Sequence, residues 1–376
     1  MDIEKAKIKK QLIETEKICY AMDQVKIPSG YIDCSEGCNP FGFPSNCKEV
    51  MKNFDASRMA PYPHSEVLYD AIHEFWKEQS DVKRNNILLT DGSISALYII
   101  NSIFDTHNTV MLGIAPQFTD HYMHTIMSGI EYKTYQLKKD NNYKFELNEF
   151  MATNYINDIS TCNFIYIDNP NNPTGQSIDI KKIEKIVEKA FRCNEIVIID
   201  EAYGDFMDKS NSAISIFSKY SNLIVVRTLS KGFGLAGMRI GYIIAHSDLI
   251  ECMNKMVNPY MVSEISREVA AEAMKHEEFI EASKKNFVYM KNEIRNALAA
   301  GGRLHMAETL DTNSIMLVYH DKLDINLREE FYKLGVLVID GNDFKGLDSS
   351  SARVRLPIIK EFPALLNAIN VINRKE

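Results

Sequence analysis

Short unbroken apolar runs punctuate the chain at 87–90, 109–112, 164–167, 196–199, 223–226 and 240–245. A run without polar alternation suits a strand buried on both faces, as in a parallel sheet covered by helices. Between these runs lie stretches whose apolar residues recur at helical spacing. The clearest is 180–190, with Ile183, Ile186, Val187 and Ala190. Alternating strands and helices predict an α/β chain built on a wound, mostly parallel sheet. A break at Asn258-Pro259 looks like the exit from this unit. Helices are expected beyond it at 264–274 and 279–299, strands at 314–318, 335–339 and 352–356, and a closing helix from Glu361.

Composition narrows the picture. A chain of 376 residues is long for one core, so a large and a smaller domain are expected. With 45% apolar and 25% charged residues it reads as globular. The net charge of −8, with no basic block, argues against nucleic-acid binding. No run is long enough to span a membrane. Lysines at 5, 7, 9 and 10 lack an apolar segment behind them, so the N-terminus reads as a short amphipathic helix rather than a signal peptide. The seven cysteines suit a reducing compartment, and a cytoplasmic location is expected. Neither Cys34, Cys38 and Cys47 nor His121 and His124 complete a metal-ligand set.

Three motifs carry chemistry. The first is the run from Thr228 to Arg239, which includes Ser230, Lys231, Gly232, Gly234 and Gly237. A lysine acts as a nucleophile when its surroundings keep it neutral and hold it against a carbonyl. Flanking hydroxyls, glycines and an arginine are what a lysine bound to a phosphorylated aldehyde needs. Second, Asn169-Pro170-Asn171-Asn172-Pro173-Thr174-Gly175 reads as a rigid turn after a buried strand. Third, Asp200 closes the run 196–199 and continues as Glu201-Ala202-Tyr203. A carboxylate at the end of a parallel strand lies where such folds bind ligands. Taken singly, these features also suit a solvated lysine, a plain turn and a helix cap; together and in this order they point to cofactor chemistry.

In combination the motifs resemble those of fold-type I pyridoxal-phosphate enzymes of the class I/II aminotransferase superfamily. Within it the chain is most similar to histidinol-phosphate aminotransferases and threonine-phosphate decarboxylases. The resemblance runs from about Ile32 to Ile369 and implies a large domain at 46–258, with 1–45 and 259–376 forming a small one. It implies pyridoxal 5′-phosphate as cofactor and Lys231 as the lysine bonded to it. Asp200 would pair with the pyridine nitrogen, and Asn172 and Tyr203 would hydrogen-bond the phenolic oxygen. Thr228, Ser230 and Arg239 would hold the phosphate, joined by Gly92, Ser93 and Ile94 at a helix start, where free N–H groups favour anions. Phe118 matches the aromatic that stacks on the ring. Tyr62 matches a tyrosine that reaches the phosphate of a partner subunit, so a homodimer is implied.

For the substrate, Arg353 occupies the place of the arginine that grips an α-carboxylate, a task suited to its planar fork. Arg355, two residues on in a strand, is expected on the same side. The chain departs from the phosphate-substrate pattern at Ile339, where an arginine is usual, and Lys345 or Arg355 would have to replace that cation. Residues 340–347 resemble the decarboxylase more than the aminotransferase. Pro357 and Ile358 stand where the aminotransferase carries Gly-Thr. If Arg353 keeps the carboxylate near the ring plane, Cα–H breaks and Lys231 moves the proton, which is transamination; a carboxylate turned out of plane leaves as carbon dioxide. The expectation is an aminotransferase acting between an amino acid and a 2-oxo acid, with a decarboxylase as the alternative. A silent binding relative would be expected to lack Lys231 or Asp200.

Overall fold

The computed structural model describes residues 9–18, 27–105, 108–153 and 163–374. Seven strands form the main sheet: β2 (Ile87–Thr90), β3 (Val110–Ala115), β4 (Glu131–Gln136), β5 (Phe164–Asp168), β6 (Ile196–Asp200), β7 (Leu223–Thr228) and β8 (Gly241–Ala245). Their order is β2-β8-β7-β6-β5-β3-β4, and only β8 runs against its neighbours.

The unbroken apolar runs have the expected cause. Ile165, Ile167, Val197, Ile199, Leu223 and Val225 point into one core layer, while Phe164, Tyr166, Ile198, Ile224 and Val226 point into the other. Each fully buried aliphatic side chain contributes about 1.5–3 kcal/mol, so both faces must be covered. Helix Ile180–Arg192 covers the first face with Ile183, Ile186, Val187 and Ala190, spaced three and four apart. The Asp179 carboxylate caps its start by accepting from the Lys181 amide at 2.8 Å. Helix Ser93–Ser102 contributes Ala96, Leu97, Ile99 and Ile100 to the second face.

A four-stranded antiparallel sheet follows, ordered β12 (Ile339–Asp340), β13 (Ser351–Arg355), β10 (Ile315–His320) and β9 (Leu304–Met306). The expected single strand at 335–339 is two pieces. β11 (Val336–Leu337) pairs in parallel with β1 (Ile32–Asp33), whereas Ile339 and Asp340 pair with β13. The chain changes sheet at Val338. Helix Glu264–Ala273, which lies in the range expected for the smaller domain, packs on helices Cys47–Asn53 and Val67–Trp76. Arg58 ties it there, bonding both Glu264 (2.6 Å) and Glu268. At the N-terminus the described helix is Lys10–Glu14, without a buried residue; Lys5 and Lys7 fall outside the described residues. Among the described residues no helix is long and apolar enough to cross a membrane.

Candidate active site

The carboxyl ends of β2, β3, β5, β6 and β7 open onto one cavity of about 1310 Å³. It is lined by Ser93, Ile94, Phe118, Asn172, Asp200, Tyr203, Ser230, Lys231, Arg239 and Arg353 among others. Most of the residues singled out from sequence therefore meet in one place, because strand ends in a wound sheet converge where helices begin.

Asp200 ends β6 and is almost wholly buried. Its carboxylate accepts from the Tyr166 hydroxyl and from the Ala202 amide, each at 3.0 Å. Burial pushes its pKa up to about 6, and those two donors oppose the rise by favouring the ionised form. Lys231 points its Nζ at the Tyr203 ring, 5.5 Å from the centroid. Gly37 closes over this pair: a Cβ there would lie 2.1 Å from the Tyr203 hydroxyl oxygen and 3.2 Å from Lys231 Nζ. Only glycine allows backbone so near both groups.

The anion-binding side is built on a helix start. Gly92 precedes helix Ser93–Ser102 with φ of 113°, and a Cβ on it would lie 2.5 Å from Nη2 of Arg239. The guanidinium thus lies against the first amides of the helix, and its Nη1 donates to the Ala236 carbonyl at 3.1 Å. Ser230 lines the cavity, whereas Thr228 sits behind it. The two hydroxyls are 2.8 Å apart, and Thr228 donates to the Ile240 carbonyl at 2.8 Å.

Residues 31–361 match the aminotransferase class I and II family. The chain is 27% identical to a histidinol-phosphate aminotransferase of Methanococcus aeolicus, over 92% of this chain and 91% of that one. It is 28% identical to a putative threonine-phosphate decarboxylase of Caldanaerobacter subterraneus subsp. tengcongensis, over 88% and 87% of the two chains. The crystal structure of the histidinol-phosphate aminotransferase from Clostridium acetobutylicum superposes with a TM-score of 0.78 at 22% identity, over 91% of this chain and 99% of that one. The chain belongs to the aminotransferase class I and II family. It is a pyridoxal-phosphate-dependent aminotransferase with the fold-type I architecture.

Not every expected residue of this aminotransferase faces the cavity. Arg353 does: its Nη1 donates to the Asn172 side-chain oxygen at 3.2 Å and its Nη2 to the Ser35 carbonyl. Arg355, expected beside it, is turned to the backbone of the segment at 33–36 instead. It donates from Nε to the Glu36 carbonyl at 2.8 Å and from Nη2 to the Asp33 carbonyl, with the Asp33 carboxylate 3.5 Å away. Alternation sets the side of a strand, but here the carbonyls of β1 and the residues after it intercept the guanidinium. Lys345 also lies outside the cavity lining, with Nζ 3.2 Å from the Tyr122 hydroxyl. Neither restores a cation at Ile339, which lines the wall with Val338. Tyr62 is 71% exposed, stacked on Tyr260 at 4.6 Å, and is not part of the cavity of its own chain.

Sequence reasoning missed several groups that the aminotransferase site contains. Tyr166 was read only as part of the strand run at 164–167, Asp168 lay just beyond it and was not singled out, and Gly37 was not distinguished from other glycines. Behind Tyr203, buried Arg227 bonds Glu201 at 3.0 Å and also Asp205, holding the turn that follows Asp200. Alternation within β5 was the available signal for Tyr166, since a phenol among isoleucines needs a buried acceptor.

Proposed function

We propose that this aminotransferase moves an amino group from an amino acid to a 2-oxo acid, with Lys231 as its acid and base. The convergence of Lys231, Tyr203, Asp200 and Arg353 on one cavity carries this reading. The residues fit the cofactor. A buried carboxylate suits a ring nitrogen, and a helix start with Ser230 and Arg239 suits a phosphate dianion. Asn172 and Tyr203 supply donors for a phenolic oxygen, and Phe118 an aromatic face. Bound there, pyridoxal 5′-phosphate supplies an aldehyde for the substrate amine and a ring that accepts electrons from the bond that breaks.

Each side chain then has one task. Asp200, when ionised, would pair with a protonated ring nitrogen of the cofactor. Arg353, oriented by its bonds to Asn172 and Ser35, would offer its charge to the α-carboxylate and so help fix which bond at Cα is exposed. Lys231, when neutral, would take the proton from Cα and could deliver it to the aldehyde carbon of the bound cofactor, across the substrate nitrogen. Gly37 lets the backbone after the segment pinned by Arg355 lie close to that lysine. Tyr62 serves the phosphate of a second copy, which makes a cytoplasmic homodimer the working unit.

Ile339 and Val338 line the cavity together with Ile18 and Ile27, and so do the cations Lys17 and Arg328. Those cations keep the phosphate esters in the names of the relatives as candidate substrates beside unphosphorylated amino acids. The test is a panel of amino acids, histidinol phosphate and O-phosphothreonine offered to the loaded enzyme, with oxo acid and carbon dioxide measured separately. Oxo product without carbon dioxide is expected from the amines that react. Carbon dioxide without oxo acid would overturn the reading in favour of a decarboxylase.

A further inference from the structure

Asp168 is a second buried carboxylate beside Asp200, and neither the proposed chemistry nor the motifs use it. It ends β5 opposite Asp200 in the strand register and lines the same cavity. Its Oδ2 accepts from the Asn172 amide at 3.0 Å and from the Phe118 amide at 3.2 Å. Its Oδ1 accepts from the Asn171 side-chain nitrogen at 2.8 Å, and that same nitrogen donates to the Pro116 carbonyl at 2.9 Å. One carboxylate therefore joins two turns, the one after β3 that carries Phe118 and the one after β5 that carries Asn172.

No salt-bridge partner for Asp168 occurs among the described residues, so its charge is held by N–H groups alone. Removing a carboxylate from water without a cation is costly, and burial does push Asp168 up to about 7. Only the ionised form, however, offers acceptor sites for all three donors at once. An amide in its place has one oxygen and presents N–H groups to the remaining donors. The residue's cost is explained if the relative placement of the two turns matters.

We propose that Asp168 is a positioning residue that fixes Phe118 and Asn172 against each other across the cofactor ring. Phe118 would face the ring plane and Asn172 would meet the phenolic oxygen, so a shift of either turn would displace the cofactor's contacts relative to Lys231. This inference rests on the cofactor contacts assigned above. The groups that titrate or carry charge around Asp168 are Asp200 from β6, Tyr166 from β5 and Tyr132 from β4.

The experiment compares wild type with Asp168→Asn, Asn172→Ala and the double variant. It records the visible circular dichroism of the bound cofactor, its dissociation constant, and far-UV dichroism as a check on folding. Asp168→Asn is expected to fold, to lose at least half of the visible dichroism and to weaken cofactor binding about tenfold. In the double variant the two losses should not add, because Asp168 acts through Asn172. Additive losses, or an unchanged visible signal in Asp168→Asn, would overturn the proposal.

A second measurement needs no cofactor and decides the matter even if the variant does not fold. In the wild-type apoprotein the backbone amides of Phe118 and Asn172 are followed by nuclear magnetic resonance as pH is varied. A shared midpoint is expected, since one carboxylate serves both; separate midpoints, or none, would refute the tie. Failure of wild type to bind pyridoxal phosphate would sink the functional reading while leaving this amide test intact.

Discussion

The Tyr166 hydroxyl donates to the Asp200 carboxylate at 3.0 Å, and both residues are almost wholly buried. A hydrogen bond to the ionised form lowers a carboxyl pKa, so Tyr166 works against the burial that raises Asp200 to about 6. Tyr166→Phe removes the donor while keeping the ring in its core layer. Asp200 should then hold its proton to higher pH, and a protonated Asp200 cannot balance a charged ring nitrogen. Cofactor affinity measured against pH should fall off on the acid side at a pH higher by about one unit than in wild type. An unmoved acid limb would show that the Tyr166 bond does not tune Asp200.

Gly37 is the second test. Its missing Cβ would sit 2.1 Å from the Tyr203 hydroxyl oxygen, well inside any contact distance. Gly37→Ala must push back either the 33–36 segment, which Arg353 and Arg355 pin, or Tyr203 itself. A displacement of about 1 Å in a catalytic constellation costs on the order of 10²-fold. We expect kcat/KM to drop by that order with the thermal midpoint nearly unchanged. Full activity would mean that the segment does not close over the lysine.

These two positions show how much of the site the sequence carried. Strands β5 to β8 were legible because both faces are buried, which leaves uninterrupted apolar runs at 164–167, 196–199, 223–226 and 240–245. Strand β4, with sequence Glu-Tyr-Lys-Thr-Tyr-Gln, was not, since it lies at the sheet edge and is largely only half buried. Lys231, Asp200, Asn172 and Arg239 were legible because their motifs are local. Gly37, Asp168 and Tyr166 were not, because what matters about them is a contact made far along the chain. Gly37 meets Tyr203, Asp168 meets Phe118, and Tyr166 meets Asp200. Arg355 shows the converse: alternation put it beside Arg353, and a carbonyl from another sheet took its guanidinium.

Arg227 bears on stability. Its guanidinium is buried with two carboxylates, those of Glu201 and Asp205, and Trp76 lies 5.1 Å from it. Burial opposes the charge on each acid, and Arg227 offsets this first, with Ser212 and Ala213 assisting at Glu201 and Lys284 and Lys209 at Asp205. Arg227→Met leaves two acids without their cation, a change that typically costs about 3–5 kcal/mol. Denaturant unfolding of the apoprotein should register that loss. A loss under about 1 kcal/mol would mean that the acids are protonated in the fold and need no partner.

The covalent bond at Lys231 is where the account is most exposed. The purified protein, loaded with pyridoxal phosphate, is reduced with borohydride, digested and mapped by mass spectrometry, with Lys231→Ala treated alongside. The reduced pyridoxyl label is expected on the peptide containing Lys231 and absent from the variant, which should still bind the cofactor without a covalent bond. A label on another lysine, or none in wild type, would contradict the assignment of Lys231 and with it the chemistry built upon that residue.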